Sequence, residues 1–148
     1  MHIQEVKLSP RLRAIVEALP LYPGIRVLEI GCGPGAAARA VANRIGYGYV
    51  LAIDRSAKAI QQATAASVQE IASGRLQFRQ LAVENLVLEA GEPLYDLAFA
   101  MRVGALDGRY PGIGQLALPR IAKALTLNAK LFIDGGNPLL EIPLDSYR

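Results

Sequence analysis

Three glycines follow one acidic residue in the segment VLEIGCGPG, which runs from Val27 to Gly35. A glycine turn that leads into a helix lets a ligand approach the backbone closely and directs free N–H groups toward it. Glu29 stands two residues before the first glycine, and Asp54 ends the apolar run YVLAID. Bare backbone beside two carboxylates predicts a site for a small ligand, although an isolated G-x-G-x-G is also compatible with a tight turn.

The same glycines also fit a dinucleotide-binding pattern. Residues Gly31 to Ala36 match G-x-G-x-x-[GA], and Asp54 follows at the spacing of a ribose-binding acid. A nicotinamide-dependent reductase is therefore one alternative. Glu29 favours a different ligand, because a carboxylate beside the turn repels a pyrophosphate and attracts a positively charged nucleoside.

VLEIGCGPG resembles the first motif of class I S-adenosylmethionine-dependent methyltransferases, an apolar strand that ends in Glu or Asp before G-x-G-x-G. The resemblance covers approximately residues Arg26 to Asp134. It implies a Rossmann-like fold, S-adenosyl-L-methionine as the cofactor and transfer of its methyl group to an acceptor. A small-molecule acceptor is favoured, because the chain has no basic tract with interleaved aromatic residues of the kind that binds nucleic acid.

The resemblance also assigns roles to individual residues of the first two motifs. Glu29 would face the methionine amino group of the cofactor. Asp54 would accept hydrogen bonds from both ribose hydroxyls, and Arg55 would lie against the adenine. The backbone that would line the methionine and ribose portions belongs to Gly31, Cys32, Gly33 and Gly35.

The segment LAVENL, residues 81–86, resembles the adenine-binding stretch of the family. Val83 would contribute a backbone contact to the adenine. The acid that the family usually carries here is replaced by Ala82, and Glu84 is the alternative acceptor for the adenine amino group.

The loop after the fourth predicted strand holds the remaining candidates. Met101 and Arg102 occupy the place where the family closes over the sulfonium and admits the acceptor. Arg102 and Asp107 are the catalytic candidates, with Asp107 considered as a general base. Cys32 is interpreted as a small buried residue and not as a nucleophile.

The elements that must position these residues alternate between strand and helix. Apolar runs predict strands at 26–30, 49–54, 76–82, 95–101 and 130–134, and helical patterns cover 11–19, 36–45, 56–73 and 115–125. This alternation predicts a three-layer α/β/α sandwich with a mostly parallel sheet of order 3-2-1-4-5. The ligand site is then expected beyond the carboxyl ends of the strands.

The chain ends before the antiparallel C-terminal hairpin that class I methyltransferases usually carry. The segment LLEIPL, residues 139–144, predicts at most one short extra strand or an extended tail. An unpaired edge of the fifth strand would invite association, so we expect either that the tail covers it or that two chains form a homodimer along it. The shortened end also leaves open a non-catalytic S-adenosylmethionine-binding protein or a subunit that needs a partner.

Composition limits the classes of protein that the chain can belong to. With 148 residues, of which 52% are hydrophobic and 20% charged, the chain is predicted to be one globular domain over 1–148. Neither a membrane span nor a secretory signal is evident. A single cysteine, Cys32, and a single histidine, His2, argue against an internal disulfide, a His-assisted triad and a zinc site. We expect a cytoplasmic protein without a metal ion.

Overall fold

A computed structural model describes residues 8–148, so His2 lies outside the described part of the chain. The strands are β1 (Arg26–Ile30), β2 (Tyr49–Asp54), β3 (Leu76–Gln80), β4 (Tyr95–Ala100), β5 (Leu125–Asp134) and β6 (Leu139–Ile142). The helices are α1 (Pro10–Ala18), α2 (Ala36–Ala42), α3 (Ala57–Ala66), α4 (Val68–Ala72) and α5 (Pro111–Ala124). Within residues 8–148 no helix is both long and apolar enough to cross a membrane.

The six strands form one sheet with the order β3-β2-β1-β4-β5-β6. The first five strands pair in parallel, which confirms the predicted order 3-2-1-4-5. Side chains of the central strands alternate between the two faces of the sheet. Val27 packs in the same cluster as Val41 of α2, whereas Leu28 packs with Ile121 of α5. Helices therefore cover both faces, and the three-layer sandwich is confirmed.

The sixth strand decides between the two expectations for the edge of β5. β6 pairs antiparallel with β5, with Leu131 opposite Ile142 and Asp134 opposite Leu139. The tail therefore covers this edge, as one of the two expectations proposed. The other expectation, a homodimer along the edge of β5, was wrong, because β4 and β6 already pair with the two sides of that strand.

Several element boundaries differ from the sequence prediction for local reasons. The helix predicted over 56–73 is interrupted at Ser67, whose φ of −123° is not helical. α5 begins at Pro111, where a proline suits the first helical turn, and it continues through Pro119. β5 begins at Leu125, but a bulge separates its first pair from the regular pairing that starts at Lys130.

Candidate functional site

Two cavities lie at the carboxyl ends of the parallel strands. The larger cavity, of about 600 Å³, is bounded by the glycine turn, the start of α1 and the end of β4. The smaller cavity, of about 340 Å³, is bounded by the ends of β2 and β3 and by the loop after β4. Gly31 and Arg102 line both, so the cavities adjoin at these two residues. Volumes of this size fit a small ligand that extends from one cavity into the other.

The glycine turn after β1 separates the two cavities. The backbone N–H groups of Gly31 and Cys32 both donate to the carbonyl of Ile53, at 2.8 and 3.0 Å, which ties the turn to β2. Gly33 has a φ of 53°, and a Cβ at this position would meet nothing within 4 Å. Because Gly33 also lines the larger cavity, this side of the turn is open to a ligand.

Asp54 holds the glycine turn against the start of α3. Its Oδ2 accepts the Gly33 N–H at 2.9 Å, and its Oδ1 accepts the Ser56 N–H at 2.8 Å. The Ser56 hydroxyl in turn caps α3 by accepting the N–H of Ala59 at 3.1 Å. Each oxygen of Asp54 keeps a second lone pair, and the residue lines the smaller cavity. The carboxylate therefore organises the turn and can still accept hydrogen bonds from a ligand.

Glu29 is a buried carboxyl group in the wall of the larger cavity. It is 3% exposed, and its Oε1 has no hydrogen-bond partner among the described residues. Burial, followed by the negative charge of Asp54, raises the pKa of Glu29 from 4.5 to about 8, and the positive charge of Arg39 only partly opposes this. An orphaned buried acceptor of this kind costs about 1–3 kcal/mol, which a cationic ligand can offset.

Cys32 lines the larger cavity beside Glu29. Burial raises the pKa of its thiol, and the negative charges of Glu29 and Asp54 raise it further. The thiol therefore stays protonated, which agrees with its interpretation as a small buried residue and disfavours a nucleophilic role.

The predicted adenine-binding residues gather around the smaller cavity. Arg55, Val83 and Glu84 all line it, and Val83 begins a short 3₁₀ turn, Val83–Asn85. Ala82, which stands in place of the usual acid, lines the same cavity but has no side-chain acceptor. Glu84 carries the carboxylate of this stretch, and its role as the alternative acceptor for the adenine amino group stays a prediction.

Arg102 follows β4 and has an unusual backbone conformation. Its φ is 54°, the only positive φ of a non-glycine residue among residues 8–148. The Arg102 N–H donates to Asp134 Oδ1 at 2.9 Å, and its carbonyl accepts Arg109 Nη2 at 2.9 Å. The strained conformation is therefore held from both sides.

Asp134 and Arg11 are site residues that the sequence analysis did not single out. Asp134 Oδ2 accepts Arg11 Nη2 at 2.5 Å, which attaches α1 to the end of β5 at the edge of the larger cavity. A signal for Asp134 was available in the sequence, because it ends a predicted strand of the sheet just as Asp54 does. Nothing in the sequence pattern marked Arg11 as its partner.

Asp107 takes a different place from the one expected of a general base. It lines neither cavity, and both its oxygens lie within 3.0 Å of Arg109 Nε. The hydrogen bond from Arg109 lowers the pKa of Asp107. A carboxylate that is paired, exposed and weakly basic is poorly suited to proton abstraction.

The fold and the site together define a class of protein. A parallel sheet with a glycine turn after β1 and carboxylates on β1 and β2 is a nucleoside-binding α/β domain. Residues 27–110 match the family described as "Methyltransferase domain". The match covers more than half of the sequence, and the chain belongs to the methyltransferase domain family. This confirms the resemblance to class I methyltransferases.

Solved structures resemble the chain in fold. An S-adenosylmethionine-dependent methyltransferase from Thiobacillus denitrificans, in complex with S-adenosyl-L-homocysteine, is 22% identical with a TM-score of 0.65, over 88% of this chain and 50% of that one. An S-adenosylmethionine-dependent methyltransferase from Mesorhizobium loti is 25% identical with a TM-score of 0.62, over 84% and 51%. The chain thus spans about half the length of these proteins.

A third solved structure contains a partner protein. It is the complex between the Haloferax volcanii Trm112 methyltransferase activator and a putative methyltransferase, with 21% identity and a TM-score of 0.67 over 82% of this chain and 49% of that one. No curated protein sequence matches the chain.

Proposed function

We propose that residues 8–148 form one S-adenosylmethionine-dependent methyltransferase domain that acts on a small-molecule acceptor. The observation that carries the proposal is Glu29, a buried carboxyl with an unpartnered oxygen in the wall of a 600 Å³ cavity. The ionised form of this carboxyl would repel a pyrophosphate, whereas the ammonium group of the cofactor would favour ionisation and give the carboxylate a partner.

The residues around the two cavities fit the parts of this cofactor. In the larger cavity Glu29 would bind the ammonium group, and the open face of Gly33 would admit the methionine chain. In the smaller cavity Asp54 would accept the ribose hydroxyls through its free lone pairs. Val83 and Arg55 would lie against the adenine, with Glu84 as acceptor for its amino group.

The protein itself contributes positioning more than acid-base chemistry. Bound S-adenosylmethionine supplies a methyl group activated by a sulfonium. Met101 lines the larger cavity, where it would help to hold an acceptor in line with that group. Cys32 stays protonated and Asp107 is paired with Arg109, so neither would take a proton from the acceptor. These residues favour an acceptor that is already nucleophilic without a strong base.

Calorimetric titration with S-adenosyl-L-homocysteine and, separately, with NADH tests the cofactor. We expect S-adenosyl-L-homocysteine to bind and NADH not to bind. The reverse result would establish the reductase alternative. Transfer of a labelled methyl group from S-adenosylmethionine to a panel of small acceptors then tests catalysis. Methylation of proteins or nucleic acids, with no methylation of small molecules, would contradict the proposed small-molecule acceptor.

A domain that depends on a partner is the second candidate. Two findings support it. The chain spans about half the length of its structural neighbours, and one of those neighbours is in complex with a methyltransferase activator. This candidate predicts binding of S-adenosyl-L-homocysteine without turnover by the isolated chain.

A cytoplasmic location, expected from the single cysteine, belongs with these proposals.

A further inference from the structure

Arg102 places a guanidinium group at the junction of the two cavities. It lines both of them and is exposed. Both hydrogen bonds of Arg102 are made by its backbone. Its guanidinium forms no ion pair and no hydrogen bond among residues 8–148. The other arginine of the larger cavity, Arg11, is neutralised by Asp134.

The backbone of Arg102 is held in a conformation that disfavours arginine. The left-handed region costs a residue with a Cβ about 1–2 kcal/mol, and glycine would occupy it freely. Asp134 and Arg109 hold this conformation through the N–H and the carbonyl of Arg102. Strain that the surrounding structure maintains in this way is concentrated at functional sites. The arrangement fixes where the Arg102 side chain leaves the backbone.

The rest of the larger cavity defines what this guanidinium would meet. The cofactor would bring an ammonium group, which Glu29 would bind, and a carboxylate. Arg102 has five N–H donors and no charged partner among residues 8–148, so it can bind a second anionic group at the junction even where the carboxylate of the cofactor reaches it. The neighbouring wall is apolar and includes Leu12, Ala36, Ala37 and Met101. A guanidinium next to an apolar wall suits a molecule that has an apolar body and one oxyanion group.

We propose that the methyl acceptor is a small oxyanion, either a carboxylate or a phosphate monoester, and that Arg102 binds its anionic group. This inference rests on the proposed methyltransferase function, because it assigns the cofactor to the remainder of the cavity. Arg102 is then a specificity-determining residue, with Asp134 and Arg109 as the groups that position it.

The test compares benzoate, phenyl phosphate and the neutral benzamide as probes. Each is titrated into protein saturated with S-adenosyl-L-homocysteine, and binding is followed by calorimetry or ligand-observed NMR. A charge-assisted hydrogen bond predicts that at least one oxyanion binds about tenfold or more tightly than benzamide. The oxyanion that binds better distinguishes a carboxylate from a phosphate acceptor.

Three variants attribute this preference to Arg102. Arg102→Asn removes the charge with a residue that tolerates positive φ, and it should abolish the preference. Arg102→Lys should retain part of it as a point charge. Arg120→Asn, at an exposed position on α5 that lines neither cavity, is the matched control and should leave it unchanged.

The result that overturns the proposal is separate from failure of the proposed function. Equal or undetectable binding of all three probes overturns it, as does a preference that survives in Arg102→Asn. Failure of S-adenosyl-L-homocysteine to bind counts against the cofactor assignment. In that case the probes are titrated into the free protein, where the Arg102-dependent preference for an oxyanion is still expected.

Discussion

Asp134 Oδ1 accepts the backbone N–H of Arg102 at 2.9 Å, and this bond joins the end of β5 to the loop after β4. The other oxygen of the same carboxylate binds Arg11 of α1. Because Arg11 and Arg102 both line the larger cavity, one side chain with 9% exposure positions two separate parts of its wall.

Replacing this carboxylate should loosen the wall of the cavity. Asp134→Ala removes both bonds, and we expect the free energy of unfolding to fall by about 1–3 kcal/mol, as measured by urea denaturation. Oxyanion binding should weaken more than binding of S-adenosyl-L-homocysteine, because Arg102 loses its anchor. Asp145→Ala serves as the control, since Asp145 is exposed and its carboxylate makes no hydrogen bond or ion pair among residues 8–148. Unchanged stability and unchanged oxyanion binding in Asp134→Ala would contradict the positioning role.

Asp54 is expected to serve both the fold and the ligand. Asp54→Ala removes the acceptor of the Gly33 and Ser56 N–H groups as well as the proposed partner of the ribose. We expect affinity for S-adenosyl-L-homocysteine to fall by about 10- to 150-fold, which corresponds to about 1.5–3 kcal/mol. Asp54→Asn keeps one acceptor oxygen, so its affinity for S-adenosyl-L-homocysteine should lie between those of Asp54→Ala and the wild type. Calorimetry that finds the wild-type affinity in Asp54→Ala would remove the ribose assignment.

The open face of Gly33 gives a steric test of where the ligand lies. A Cβ at Gly33 meets no atom within 4 Å, so Gly33→Ala should cost only the backbone penalty of about 1–2 kcal/mol. Gly74→Ala is the matched control, because Gly74 also has a positive φ and open space but lies outside both cavities. Both variants should lose similar stability in thermal unfolding. Affinity for S-adenosyl-L-homocysteine should fall in Gly33→Ala alone, and equal affinities would place the ligand elsewhere.

The raised pKa of Glu29 makes stability depend on pH. Its pKa is about 8 in the folded protein and near 4.5 when the chain is unfolded, so the folded state binds the proton more tightly. The resulting stabilisation is fully present below the unfolded value and is lost as the pH rises through the folded value, by at most about 1.4 kcal/mol per pH unit. Glu29→Gln should lack this loss. We expect the free energies of unfolding of the wild type and Glu29→Gln, measured by urea denaturation, to diverge between pH 4.5 and about 8. The same pH dependence in both proteins would contradict the raised pKa.

The sequence predicted the parallel part of the fold because apolar runs and glycine turns determine it locally. β1 and β2 match their predicted bounds, and the helix predicted from residue 56 begins at Ala57 with Ser56 as its N-cap. The pairing of β6 with β5 depends on tertiary contact between two segments, and the sequence alone left the dimer as an equal alternative. Arg11 and Asp134 are separated by more than a hundred residues, so no local pattern could have paired them.

The central claim is that the buried carboxyl of Glu29 binds the ammonium group of a nucleoside cofactor. Calorimetric titration with S-adenosyl-L-homocysteine, on the wild type, Glu29→Gln and the exposed control Glu17→Gln, tests it most directly. Ionised Glu29 is the form that binds ammonium, so the affinity of the wild type and of Glu17→Gln should rise about tenfold or more between about pH 6 and 8. Glu29→Gln should bind weakly and independently of pH. An affinity for Glu29→Gln equal to that of the wild type at every pH would contradict the claim.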